Sequence, residues 1–156
     1  MTPSQLICIV DDSADYRFIF QQLFSRSFLD YPVRLFASGS AFLDGLLDMS
    51  EKPGLVLLDR HMPGLDGYQT LLRLKQHSAY NQIPVVMMSA DASESEIGVC
   101  YDAGANSFMP KSIDFNLVKE TMIAVCDYWL KPERESTPQS HRTPVLPLGI
   151  RGRTGG

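Results

Sequence analysis

The chain has 156 residues, 44% hydrophobic and 21% charged, with a formal net charge of −4. That length supports one domain with a real core, and that charge argues against a dedicated nucleic-acid binder. No apolar run approaches the length of a membrane span, and the run at residues 6–10 is too short, and too poor in preceding basic residues, for a secretion signal.

A soluble, cytoplasmic protein with no nucleic-acid or membrane partner is therefore expected. The charge is uneven. After residue 130 one lysine and four arginines face two glutamates, a surplus of +3 that leaves −7 for the rest. Cys8, Cys100 and Cys126 are odd in number and have no metal-like spacing, so they read as reduced packing residues.

In chain order, the first apolar run is QLICIV (5–10), which ends on Asp11-Asp12. A helical stripe of Tyr16, Ile19, Phe20, Leu23 and Phe24 follows, within a helix expected over residues 13–28. The second run is PVRLFA (32–37). The third, GLVLLD (54–59), closes on the lone carboxylate of Asp59, then Met62-Pro63-Gly64 and Asp66-Gly67 lead into a helix-like pattern. The fourth, IPVVMMS (83–89), ends on Ser89. Ser93-Glu94-Ser95-Glu96 then has the form of a capping box, and Gly104 is a helix stop. The fifth, NSFMP (106–110), runs into Lys111, and a final helix is expected over residues 114–130.

Apolar strands alternating with helices give a doubly wound parallel sheet, and strands with little polar alternation are those covered on both faces. Residues 132–156 are rich in Pro, Gly, Ser, Thr and Arg without any period, which reads as a tail that cannot order itself. Within it, TPVLPLG favours a solvated segment over a docking peptide.

Ligands of such sheets gather beyond the carboxyl ends of the strands. Asp11, Asp12, Asp59, Ser89 and Lys111 all fall there. Three carboxylates alone repel, and all-oxygen donors select a hard divalent ion such as Mg²⁺. A hydroxyl and an ammonium beside it suit the remaining oxygens of a phosphoryl group, so the cluster points to phosphoryl transfer. Singly, each residue has a plainer reading: helix start, turn or surface lysine. Jointly they do not.

The order Asp-Asp, Asp-x-x-Met-Pro-Gly-x-Asp-Gly, Ser-Ala and Lys resembles the receiver domain of two-component response regulators, over about residues 6–130. The resemblance implies a flavodoxin-like (βα)5 sheet in the order 2-1-3-4-5, with a receiver domain over residues 1–131. It implies that Asp59 accepts a phosphoryl group from a sensor histidine kinase or phosphotransfer protein. Asp11, Asp12, Asp59 and the His61 backbone carbonyl would hold Mg²⁺, while Ser89 and Lys111 bind phosphoryl oxygens. Ser89 and Phe108 take the switch positions, and His61 and Asp91 those that tune phosphoryl lifetime. A downstream protein would read the face made by the fourth helix, fifth strand and fifth helix. A homodimer stays open.

Three departures stand out. Proline precedes Lys111 instead of following it, so the Lys111–Ser112 peptide is expected to be trans in a rearranged turn, or strained to aim the lysine. Phe108 replaces the more usual tyrosine. Asn106-Ser107 lacks an acidic pair typical of winged-helix members, which favours a stand-alone, non-enzymatic signalling module. The competing readings are a receiver cut from a larger DNA-binding or other regulator, and an aspartate-nucleophile phosphatase, whose Asp-x-Asp spacing is absent here.

Overall fold

A computed structural model describes residues 4–26 and 30–130. Five strands alternate with five helices: β1 (Ile7–Val10), α1 (Ala14–Ser25), β2 (Val33–Phe36), α2 (Gly39–Leu47), β3 (Leu55–Asp59), α3 (Gly67–Gln76), β4 (Val85–Ser89), α4 (Glu94–Asp102), β5 (Ser107–Pro110) and α5 (Phe115–Leu130). All strand pairs are parallel, in the order β2-β1-β3-β4-β5. The expected fold class and strand order are thus observed.

Alternation along each strand divides the core into two. Ile7, Ile9, Leu55, Leu57, Val86, Met88 and Met109 pack with α1 and α5, whereas Cys8, Val10, Val56, Leu58, Val85, Met87 and Phe108 pack with α2, α3 and α4. Both faces are covered, which is why β1, β3 and β4 read as unbroken apolar runs. Each fully buried Leu or Ile contributes about 1.5–3 kcal/mol, and truncating one to alanine costs about 2–5 kcal/mol. The three cysteines are buried and free, and burial pushes the Cys8 and Cys126 thiols up to about 12, so they are packing groups.

The helices start where the chain supplies caps. Ser13 accepts from the Tyr16 N–H, and the expected stripe packs against the α1/α5 core. The α1 assignment ends at Ser25; residues 27 and 28 of the anticipated helix lie outside the described residues. Ser93 and Glu96 form the anticipated capping box of α4, and Gly104 follows its end with φ +114°, where glycine avoids the steric cost of left-handed backbone. Asp66 and Gln69 make a second capping box on α3. Asp114 accepts from the Asn116 and Leu117 N–H groups and so caps α5.

The helices are unequally anchored. α5 buries Val118, Thr121, Met122, Val125, Cys126 and Leu130, whereas α4 buries Cys100 alone. Pro110 sits on the edge strand β5, where its missing N–H removes no second ladder bond. No cis peptide occurs among the described residues, so the Lys111–Ser112 bond is trans. No helix there is long and apolar enough to cross a membrane. The tail anticipated over residues 132–156 lies outside the described residues.

Candidate functional site

Register brings the ends of the strands together. Leu58 pairs with Val10, Asp59 with Met88, and Ser89 with Pro110, so the residues that follow β1, β3, β4 and β5 share one rim of the sheet. Asp11, Asp12 and Asp59 each offer a carboxylate oxygen within 4.8 Å of the others. Asp11 is 0% exposed and Asp59 3%, while Asp12 is open to solvent. These three line, or lie directly behind, a cleft of about 280 Å³ bounded by Asp12, Asp59, His61, Ala90, Asp91 and Lys111. The dispersed polar ends read from the sequence do converge.

Each group is held by backbone. Asp11 Oδ1 accepts from the Ser13 N–H at 2.9 Å, and the Arg17 guanidinium donates to the Asp11 carbonyl at 2.8 Å. The Lys111 N–H donates to the Ser89 carbonyl at 2.9 Å, which carries the lysine off the end of β5 toward the cleft. Its Nζ lies 2.9 Å from Asp11 Oδ2 and 3.4 Å from Asp59 Oδ1. It also lies 4.1 Å from the centre of the Tyr16 ring. Ser89 is buried, and its Oγ accepts from the Asp91 N–H at 3.3 Å, leaving the hydroxyl proton free to donate. Phe108 is fully buried in the core beneath α4.

Gly67 closes the loop after β3. Its N–H donates to the Arg60 carbonyl at 3.1 Å, and a Cβ there would collide with the Asp59 carbonyl oxygen. The start of α3 therefore rests directly on the backbone of Asp59.

Electrostatics follow from burial. Desolvation, the charge of Asp11 and a hydrogen bond with Asp12 push the Asp59 carboxyl up to about 7, against the opposing pull of Lys111. Burial alone would lower Lys111, but its contacts with Asp11 and Asp59 raise it above the usual lysine value. Three carboxylates and one ammonium leave a formal charge of 1 − 3 = −2 when all are ionised. An all-oxygen pocket with that deficit suits a hard divalent cation.

His61 stands at the rim. Its Nε2 is 3.5 Å from Glu96 Oε2 and 3.9 Å from Asp91 Oδ1. Arg60 was not anticipated. Its guanidinium reaches Asp66 at 3.6 Å and Glu96 at 3.9 Å, bridging the capping boxes of α3 and α4. Nothing in the local sequence marks that bridge, because both carboxylates already have capping roles. Tyr16 was assigned only to the packing stripe of α1.

A parallel α/β sheet of this order, with an acidic cluster and a lysine at its carboxyl rim, defines a class of phosphoryl-handling signalling domains. The chain belongs to the response regulator receiver domain family, whose profile matches residues 7–123. It is similar to response regulator Rcp1 of Synechocystis sp., at 29% identity over 135 residues, covering 83% of this chain and 91% of that protein. A crystal structure of the Mn²⁺-bound form of response regulator Rcp1 superposes with a TM-score of 0.70 at 26% identity, covering 82% of this chain and 96% of the other. Hybrid signal transduction histidine kinase E of Dictyostelium discoideum is 32% identical over 120 residues, covering 74% of this chain and 7% of that protein.

Proposed function

We propose that this protein accepts a phosphoryl group on Asp59 from the phosphohistidine of a sensor histidine kinase or phosphotransfer protein, in a Mg²⁺-dependent step. One observation carries the reading: the Asp59 carboxylate shares its cleft with two further carboxylates and has the Lys111 ammonium 3.4 Å away. Membership of the receiver family and the likeness to part of a hybrid histidine kinase support the donor. Asp11, Asp12, Asp59 and the His61 backbone carbonyl would hold the ion, as an oxygen set for which Mg²⁺ is well suited. When bound, Mg²⁺ neutralises charge on the transferring group.

The chain's own groups do the rest. An Asp59 oxygen forms the new bond to phosphorus as the bond to the donor nitrogen breaks, in line. Lys111 donates to one phosphoryl oxygen and the free Ser89 proton to another. Drawing Ser89 toward that oxygen opens room into which Phe108 can turn, biasing two conformations of the α4–β5–α5 face that a downstream protein reads.

Incubation with a small phosphodonor, with and without Mg²⁺, followed by intact mass and peptide mapping, tests the reading. A single label on Asp59 that needs Mg²⁺ and vanishes in Asp59→Asn is expected. Label elsewhere, or label indifferent to Mg²⁺, overturns it, and repeated turnover of a phosphate ester would point to a phosphatase instead. His61 and Asp91 flank the cleft, so exchanging either should change the decay of the label more than its formation. Unchanged decay in both variants would remove them from that role.

A further inference from the structure

We infer that Tyr16 is a positioning residue for Lys111: its ring face occupies the third donor direction of the ammonium and fixes Nζ over the acidic cleft. The inference rests on the reading of Lys111 as a ligand for the phosphoryl group. The ammonium has three N–H donors. One faces Asp11 at 2.9 Å and one faces Asp59 at 3.4 Å. The ring centre of Tyr16, 4.1 Å from Nζ, stands where water would otherwise solvate the third. The lysine side chain is only 9% exposed, and a desolvated cation gains more from a π face than an exposed one does.

The placement of Tyr16 is built in. The Asp11 side chain accepts from the Ser13 N–H, the Ser13 side chain accepts from the Tyr16 N–H, and Arg17 holds the Asp11 carbonyl. Asp11 and the tyrosine ring thus form one rigid corner between β1 and α1, into which Lys111 inserts from the other side of the sheet's centre. The rest of the ring packs against the α1/α5 core. Two of the three directions around Nζ therefore belong to a single fixed unit. Only the contact with Asp59 needs to yield when a phosphoryl oxygen arrives, so the ammonium neither swings to solvent nor reorganises to meet it.

Two measurements on wild type, Tyr16→Phe and Tyr16→Leu test this. Without any phosphodonor, the Lys111 ε-methylene NMR resonances should be shifted upfield by the ring in wild type and Tyr16→Phe, and relax toward ordinary lysine values in Tyr16→Leu. At saturating Mg²⁺, the rate of Asp59 labelling by phosphoramidate should fall roughly three- to tenfold in Tyr16→Leu and stay within about twofold in Tyr16→Phe. The melting temperatures of the variants control for loss of fold, and a Tyr16→Met variant replaces the leucine one if that fails to fold. Identical lysine resonances in wild type and Tyr16→Leu would overturn the contact. Equal labelling in all three, or a phenylalanine variant as slow as the leucine one, would overturn the positioning role. Wild type that takes no label while its Lys111 resonances are ring-shifted would overturn the acceptor reading, and the positioning role with it, while leaving the contact standing.

Discussion

Two acidic clusters lie side by side at the carboxyl rim and behave in opposite ways. In the first, Asp11 and Asp59 are buried against Lys111, and desolvation with mutual repulsion drives Asp59 up to about 7. In the second, Glu96 and Asp91 stand near Arg60 and His61 at the surface, and Glu96 is held below the usual carboxylate range, first by its backbone hydrogen bond from Ser93. The functional groups are alike. What differs is burial: desolvation and the charge of Asp11 raise Asp59, whereas Glu96, at the surface, is held down by its hydrogen bonds from Ser93 and by the charges of His61 and Arg60.

The comparison breaks most visibly at Lys111. Lys111→Met removes the cation from a buried acid pair, and stability should fall by about 3 kcal/mol at pH 8 in chelator. The loss should be smaller at pH 5, where Asp59 can take up a proton. Urea unfolding at both pH values checks this, and equal losses would mean that the loss does not come from leaving Asp59 ionised without its cation. Next, Mg²⁺ at a hundredfold excess over its dissociation constant should stabilise the wild type by about 2.7 kcal/mol, and Asp59→Asn far less.

A smaller effect isolates Asp59. Its folded-state pKa of about 7 lies above the ordinary 3.8, so the folded chain binds a proton more tightly than the unfolded chain. The resulting penalty is absent below about pH 4, grows as pH rises, and is complete above about pH 7. Metal-free Asp59→Asn should therefore be more stable than wild type by about 1–2 kcal/mol at pH 8 and no more stable at pH 4. The smallest effect belongs to the outer cluster. Glu96→Gln keeps an acceptor for the capping box, and should move the melting temperature by no more than about 2 °C at neutral pH. A shift rivalling that of Lys111→Met would erase the distinction between the clusters.

Much of this was legible in the residue order. The fivefold recurrence of apolar runs, four of them ending on Asp11, Asp59, Ser89 or Lys111, carried the sheet and the site together, because burial on both faces leaves the strand tip as the natural place for a charge. The runs overshoot the strands slightly: residues 5–10 against Ile7–Val10, and 83–89 against Val85–Ser89. Leu6 and Ile83 are apolar residues that precede the first residue of their strands, so hydropathy cannot mark where each strand begins. Tyr16 and Arg60 were missed for a different reason. Tyr16 satisfies the helical period whether or not a lysine 95 positions later lies against its ring. Arg60 joins two capping boxes that are each complete without it. Such contacts exist only through space, between elements whose separation no local pattern encodes.

The light anchoring of α4 has a mechanical consequence. A helix that sinks only Cys100 fully into the core, with Ile97 and Tyr101 half-buried against it and its rim held by ion pairs, can slide or tilt while vacating little of the interior. α5, with six side chains sunk in the core, would have to leave vacancies to do the same. Hydrogen exchange in α4 should accordingly outpace that in α5 by orders of magnitude, marking the compliant and the stiff halves of a single lever.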